Sequence, residues 1–297
     1  MKKTFGYVVL MVLTWPMQFF PLGFHYVFSN ILFFLFYRVV GYRRKVVAEN
    51  IRKSLPEKSA IERAAIVKKF YHHFADMFIE ALYFTHTSYR KTSKLLEVEN
   101  LELVHQLLAK GKNVILVSGH VGNWEYFQLF REKLDGLKYY VYKRMGNKTF
   151  DDFYKRIRSR GAEPLEMGET YRRLYSTVKS GEKYIAFFIS DQRPLANELF
   201  YWLTFMNQDT PVMTGTEKIA RNTNAAVVYT EIIRVKRGYA RLRFELLKED
   251  IGIPKGYEIT DRFMARLEES IRQYPDQYFW THKRWKYKKP IANSQQL

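Results

Sequence analysis

The sequence predicts an α/β protein: a central mixed β-sheet flanked by helices, preceded by an apolar helical segment that anchors it to a membrane. Three observations carry this. Short apolar runs rich in β-branched or aromatic residues, at 114–117, 138–142 and 183–189, alternate with segments of helical period. The runs 226–234 and 241–247, joined through Lys236-Arg237-Gly238, read as an antiparallel hairpin. Residues 5–40 are strongly apolar.

Taken in order, the chain opens Met1-Lys2-Lys3 and turns apolar, with Pro16 and Pro21 dividing the run. A signal peptide also starts this way, but no small-x-small cleavage site follows and apolarity resumes after the prolines. Neither half by itself reaches the about 20 residues of a bilayer span. A single spanning helix, a proline-broken one and a helix lying in the interface all stay open. Arg38, Arg43, Arg44 and Lys45 follow at once and hold that end on the cytoplasmic side. The expected division is residues 1–40 as anchor and 41–297 as the functional domain.

Residues 46–85 read as two helical segments, broken at Pro56 and reopened at Ser59 or Ala60. The second contains His72, His73, Asp76 and Glu80. That grouping is a metal-binding pattern, but on a helix so charged a solvated or packed face is the expectation. A short helix at 101–109 stops at Gly111 and leads into the stretch 113–127, NVILVSGHVGNWEYF. Here a buried strand runs into Ser118-Gly119-His120, a second glycine at 122, and Asn123 as N-cap of a helix carrying Glu125 in its first turn. On one continuous helix, His120 and Glu125 would lie roughly 140° apart. They meet only if His120 stands at the strand exit and the chain folds back through the glycines. A carboxylate on one imidazole nitrogen fixes the tautomer and raises basicity at the other, giving a general base near neutral pH. Without such a partner, a histidine beside an apolar strand is ordinarily structural.

Further along, a helix from about 149 to 159 carries Arg156, Arg158 and Arg160 and stops at Gly161, a basic stripe that on its own is an ordinary wet face. A helix at 171–180 precedes the strand at 183–189, which runs into Asp191-Gln192. A polar pair at the exit of an apolar strand is where α/β folds place ligand groups, though a plain turn looks the same. An apolar, aromatic stretch follows, then helices at 217–222 and 259–274 around the hairpin. The tail, YFWTHKRWK from Tyr278, is aromatic and basic. It suits an interface with anionic headgroups or a solvated end.

The string SGHVGNWE resembles the HX4D/E motif of glycerolipid-type acyltransferases, and more closely the lipid A biosynthesis (late) acyltransferase family. The later block YKRMGN…RIRSRGA is similar to that family's second motif, and Asp191-Gln192 also has its counterpart there, so the resemblance spans most of the chain. It implies an acyltransferase domain at 41–297, with His120 and Glu125 as catalytic dyad. Arg144, Arg158, Asp191 and Gln192 would contact substrate, Arg158 holding substrate or developing negative charge. It implies acyl carrier protein as donor, a hydroxyl of a phosphorylated glycolipid as acceptor, membrane lipid as surroundings, and the cytoplasmic face of the inner membrane as location. No cofactor and no metal are implied. The chain departs from the better-known enterobacterial pattern after Gln192, where it reads RPLANELFYWLTFMNQDT, and at Val121, where that pattern has phenylalanine. Another lysolipid or an amino-lipid acceptor therefore stays open.

Composition bounds the rest. A formal charge of +19 with 17% aromatic residues predicts an acidic partner: anionic lipid, acidic protein or nucleic acid. No nucleic-acid motif is recognised and the apolar N-terminus argues against that class; a non-enzymatic membrane scaffold would leave the His120 turn without a role. With no cysteine, thiolate catalysis, disulfides and cysteine-ligated zinc are excluded. Ser118 lacks the leading glycine of a G-x-S-x-G elbow, so the expected transfer is direct, without an acyl-enzyme.

Overall fold

The computed structural model describes residues 4–130, 133–159, 161–252 and 256–290. Among these, nine strands occur: β1 (Leu96–Glu99), β2 (Asn113–Ser118), β3 (Leu137–Tyr142), β4 (Glu163–Glu166), β5 (Tyr184–Ile189), β6 (Trp202–Phe205), β7 (Gln208–Pro211), β8 (Ala225–Lys236) and β9 (Tyr239–Lys248). Seven form one sheet in the order β1-β9-β8-β2-β5-β3-β4, and β6 pairs with β7 apart from it. Neighbours within the sheet are parallel except for β8 and β9, the expected hairpin, so the sheet is mixed as the sequence predicts.

The helices are α1 (Phe5–Thr14), α2 (Leu22–Phe34), α3 (Arg44–Ser54), α4 (Ala60–His86), α5 (Tyr89–Thr92), α6 (Leu101–Ala109), α7 (Lys148–Arg158), α8 (Thr170–Lys179), α9 (Gly215–Thr223) and α10 (Glu258–Gln273). Strand β2 is buried along its whole length and divides the core. Ile115 and Val117 face a cluster built with α3, α4, α9 and α10, while Val114 and Leu116 face the cluster beneath α6 and the segment after His120. This is the period-2 alternation of a strand covered on both sides, each side chain contributing about 1.5–3 kcal/mol by burial.

Helix α4 is the long strut, about 40 Å at 1.5 Å per residue. It starts at a capping box, in which the Ser59 hydroxyl accepts from Glu62 N–H and the Glu62 carboxylate accepts from Ser59 N–H. Its His73, Asp76 and Glu80 are buried in packing.

Both N-terminal helices lie against the body. Helix α1 meets α7, with Thr4 Oγ1 3.0 Å from Thr149 Oγ1, and Tyr7 buried beside Phe153 and Ile157. Helix α2 meets α4, with its Tyr26 and Ser29 turned inward. Its outer face leaves Phe24, Val27, Phe28, Ile31 and Phe34 about half exposed. The stretch Leu22–Val39 is long and apolar enough to cross a membrane by length and composition; Phe5–Phe19 is shorter.

Four strands were outside the sequence expectation. β1 and β4 are the two sheet edges, each only four residues long, and β4 contains Pro164. An edge strand has one partner and no two-sided burial, so its apolar signal is weak. The β6–β7 turn is Met206-Asn207, both at positive φ. Asn adopts that conformation readily and Met rarely, so the turn lacks the usual glycine signal. Tertiary contacts hold it instead: Met206 N–H donates to Glu268 at 2.8 Å and the Asn207 amide to Ser54 C=O at 3.1 Å.

Candidate active site

Strands β2 and β5 are parallel neighbours, with Ser118 in register with Ile189. Two residues beyond each lie His120 and Asp191, so the two strand exits deliver an imidazole and a carboxylate to one place. His120 Nδ1 is 2.5 Å from Asp191 Oδ1. The carboxylate only accepts, so Nδ1 carries the proton and Nε2 the lone pair. Gln192 Nε2, a donor, lies 3.3 Å from His120 Nε2 and fits the same tautomer. Asp191 is almost wholly buried. Burial pushes its carboxyl up, but the His120 ring and bonds and the nearby Arg284 guanidinium outweigh it and hold the group below the usual carboxylate range.

The turn that carries His120 depends on its glycines. Gly122 sits at φ +65°, and a Cβ there would stand 2.4 Å from the Ile232 carbonyl oxygen; at Gly119 it would meet Leu267 at 2.4 Å. After Gly122 the chain forms a 3₁₀ segment, Trp124–Leu129, where an α-helix was expected. Its three-residue turn aligns Tyr126 with Leu129 and Phe127 with Phe130, and all four are buried. Asn123 caps it, its side-chain oxygen accepting from Glu125 N–H at 3.1 Å.

That segment takes Glu125 away from the imidazole, a departure from the expected His120–Glu125 contact. The Glu125 carboxylate instead accepts from Arg158 at the end of α7, Oε1 to Nη2 at 2.6 Å and Oε2 to Nε at 3.4 Å. Tyr140 and Tyr154 flank the guanidinium, 5.1 and 4.9 Å from their ring centroids. Burial alone would lower the Arg158 pKa; Glu125 reverses that and raises it.

The tail supplies the other wall, which the sequence reading did not anticipate. Gly122 N–H donates to Gln277 C=O and Phe279 N–H to His120 C=O, both at 3.0 Å, and Val121 bridges Tyr278. The Phe279 ring stacks on His120 at 5.8 Å, and Trp124 meets His120 edge-on at 4.5 Å. Tyr278, Trp280 and Arg284 are buried while Lys283, Lys286, Lys288 and Lys289 stay exposed. The aromatics therefore face the protein, and only the lysines are available as a basic surface. The alternation of aromatic and basic residues is the signal that could have shown two faces.

A cleft of about 570 Å³ opens over this floor. His120, Arg158 and Gln192 line it; Asp191 and Glu125 lie behind. Phe188, Ile189, Leu195, Met213 and Ile219 give it an apolar wall, and Lys143, Arg193 and Lys218 add positive charge. The last three were not singled out in the sequence. Arg144 is not in the lining; it is exposed and pairs with Glu166 at 2.8 Å. Arg156 is exposed on α7, and Arg160 lies outside the described residues. Among the described residues, no group of three or more His, Cys, Asp or Glu is arranged to hold a metal.

An imidazole oriented by a buried carboxylate, in an apolar cleft edged with cations, can accept a proton beside an oily or anionic ligand. The family comparison gives the class: the model of the bacterial lipid A biosynthesis acyltransferases matches residues 1–287, and the chain belongs to that family. It is 22% identical over 256 residues to the lipid A biosynthesis palmitoleoyltransferase of Escherichia coli (strain K12), covering 85% of this chain and 81% of that protein. A lipid A biosynthesis acyltransferase of Shigella flexneri matches with the same identity and coverage. Among solved structures, the 1-acyl-sn-glycerophosphate (LPA) acyltransferase PlsC of Thermotoga maritima matches with TM-score 0.37 and 13% identity, covering 84% of this chain and 98% of that one.

Proposed function

We propose that this acyltransferase moves a fatty acyl group from acyl carrier protein to a hydroxyl of a phosphorylated lipid A precursor, by direct attack. The observation that carries the reading is His120, its Nδ1 held by Asp191 and its ring in the lining of the cleft beside Gln192. The acceptor hydroxyl oxygen adds to the thioester carbonyl carbon as Nε2 takes its proton, leaving an oxyanion. Arg158, fixed by Glu125, offers positive charge from the cleft wall. Collapse breaks the C–S bond, and the departing thiolate takes the proton back from the imidazolium. The Ser118 hydroxyl donates to Gly119 C=O at 3.2 Å and is buried, which supports transfer without an acyl-enzyme.

The apolar wall suits the acyl chain, and the cations at the mouth suit phosphate on the acceptor and acidic residues on the carrier. Residues 1–40 act as the membrane anchor, with the exposed faces of α1 and α2 in lipid at the cytoplasmic side of the inner membrane. Purified full-length protein, mixed with an acyl-loaded carrier protein and a lipid A precursor in detergent, tests the reading. Mass spectrometry should find one added acyl chain in ester linkage. Transfer from acyl-CoA alone, or to a simple lysophospholipid alone, overturns the donor or the acceptor respectively.

A further inference from the structure

The turn that carries His120 is tied to the lipid-facing helix by one buried side chain to which the reaction assigns no role. Glu80, about three quarters of the way along α4, is 2% exposed. Its Oε2 accepts from the Asn123 amide at 2.7 Å and its Oε1 from the Tyr26 hydroxyl at 2.8 Å. Capping needs only the Asn123 oxygen, a task Ser or Asp would perform equally. The amide nitrogen is an additional donor, and inside a buried turn it requires a partner. Glu80 supplies one, so the Asn123 side chain is fixed at both ends, by Glu125 N–H and by Glu80.

The other end of the connection is equally constrained. Tyr26 belongs to α2, and the Arg237 guanidinium lies 4.1 Å from its ring centroid. A Cβ on Gly238 of the β8–β9 hairpin would come within 2.8 Å of its hydroxyl oxygen. One helical turn away, Ser29 donates to Asp76, which also receives Arg234 and Arg237. His25, Tyr26 and Ser29 of α2 therefore face the body while Phe24, Val27, Phe28 and Ile31 face outward. A carboxylate is an expensive way to fill this space, since a well-packed leucine carries no desolvation penalty. Its geometric return is a continuous path, Tyr26 to Glu80 to Asn123 to Glu125 N–H.

We infer that Glu80 is a positioning residue: it sets the catalytic turn through Asn123 and couples that turn to the seating of α2 through Tyr26. The inference rests on the acyl-transfer reading. Burial, opposed by the bonds from Asn123 and Tyr26, pushes the Glu80 carboxyl up to about 7, so a neutral amide is a fair replacement. The test compares Glu80→Leu, Glu80→Gln and Tyr26→Phe in the full-length enzyme, in vesicles of phosphatidylethanolamine and phosphatidylglycerol. Glu80→Leu should lower kcat by about 10-fold or more with KM unchanged, because a small misplacement of a reacting group is costly. Glu80→Gln should return kcat to within about 3-fold of wild type, since it can give and accept one bond. Tyr26→Phe should fall between them. The indole ¹H–¹⁵N resonance of Trp124, next to Asn123, should move in Glu80→Leu and Tyr26→Phe and return in Glu80→Gln. Full kcat in a folded Glu80→Leu protein, a glutamine no better than leucine, or an unmoved Trp124 resonance overturns the inference. If wild type transfers no acyl group, the acyl-transfer reading falls and the Trp124 resonance still decides the positioning.

Discussion

Two buried carboxylates stand behind the same cleft and serve different cations. Asp191 faces His120, whose charge is conditional; Glu125 faces Arg158, whose charge is permanent. In the proposed mechanism the first pair passes a proton in and out of the reaction. The second cannot, because a guanidinium does not release its proton in water, so Glu125 is a fixed counter-ion and Arg158 a fixed field. One site thus holds a moving charge and a stationary one, each with its own buried anion.

The sharpest way to break this comparison is a double-mutant cycle. His120→Ala should lower acyl transfer by about 10²–10⁴-fold in a folded protein. Asp191→Asn should fall nearly as far, since an amide that donates to Nδ1 selects the unproductive tautomer. The two together should be no worse than His120→Ala alone, because they act as one unit. Glu125→Gln should instead multiply its loss onto His120→Ala. If Glu125→Gln rather than Asp191→Asn is silent in the His120→Ala background, the pairings are exchanged and the geometry above is misassigned.

Smaller effects sharpen the stationary side. Arg158→Lys should cost about 10–10²-fold, because ammonium cannot reproduce the two-point grip on Glu125, and the defect should be insensitive to salt. Arg156→Ala, exposed on the same helix, should lose little, and only at low ionic strength. Three-point salt series on both variants separate these outcomes; equal, salt-dependent defects would reduce Arg158 to part of a charged face.

The smallest expected effect concerns stability and pH. Burial lowers His73 to about 3 and His282 to about 4, the latter despite the opposing pull of Asp191. The unfolded chain binds protons at these rings near the ordinary value of about 6.5, and the folded chain refuses them until far lower pH. Stability is therefore fully present above about pH 6.5 and declines as pH falls toward the folded values. Asp191 acts further down, its contribution present above about pH 3.9 and lost as pH falls through its depressed value. Denaturation curves at pH 7.5, 6 and 4.5 should show the decline, and His282→Gln should flatten it. No change in slope would remove His282 from the account.

The sequence made the strand exits legible: an apolar run ending in small or polar residues marks both His120 and Asp191-Gln192, and the resemblance singled out Arg158. What it could not convey was which anion serves which cation. Glu125 is near His120 along the chain, but the 3₁₀ segment turns it toward α7. Asp191 is remote along the chain, and only the adjacency of β2 and β5 and their register bring it to the imidazole. Local pattern encodes neither. The tail was misread for a related reason: aromatic and basic composition fits lipid and protein surfaces equally, and its burial depends on Val121 and Gly122 far upstream. The edge strands β1 and β4 went unseen because sheet edges carry little burial.

The bonds from Gln277 and Phe279 to Gly122 and His120 also set an order of events during synthesis. The histidine emerges from the ribosome well before the segment that covers it. The imidazole lacks its stacked ring, and its turn two backbone bonds, until Gln277 and Phe279 have been made. A chain that stops short of Gln277 lacks that wall of the site.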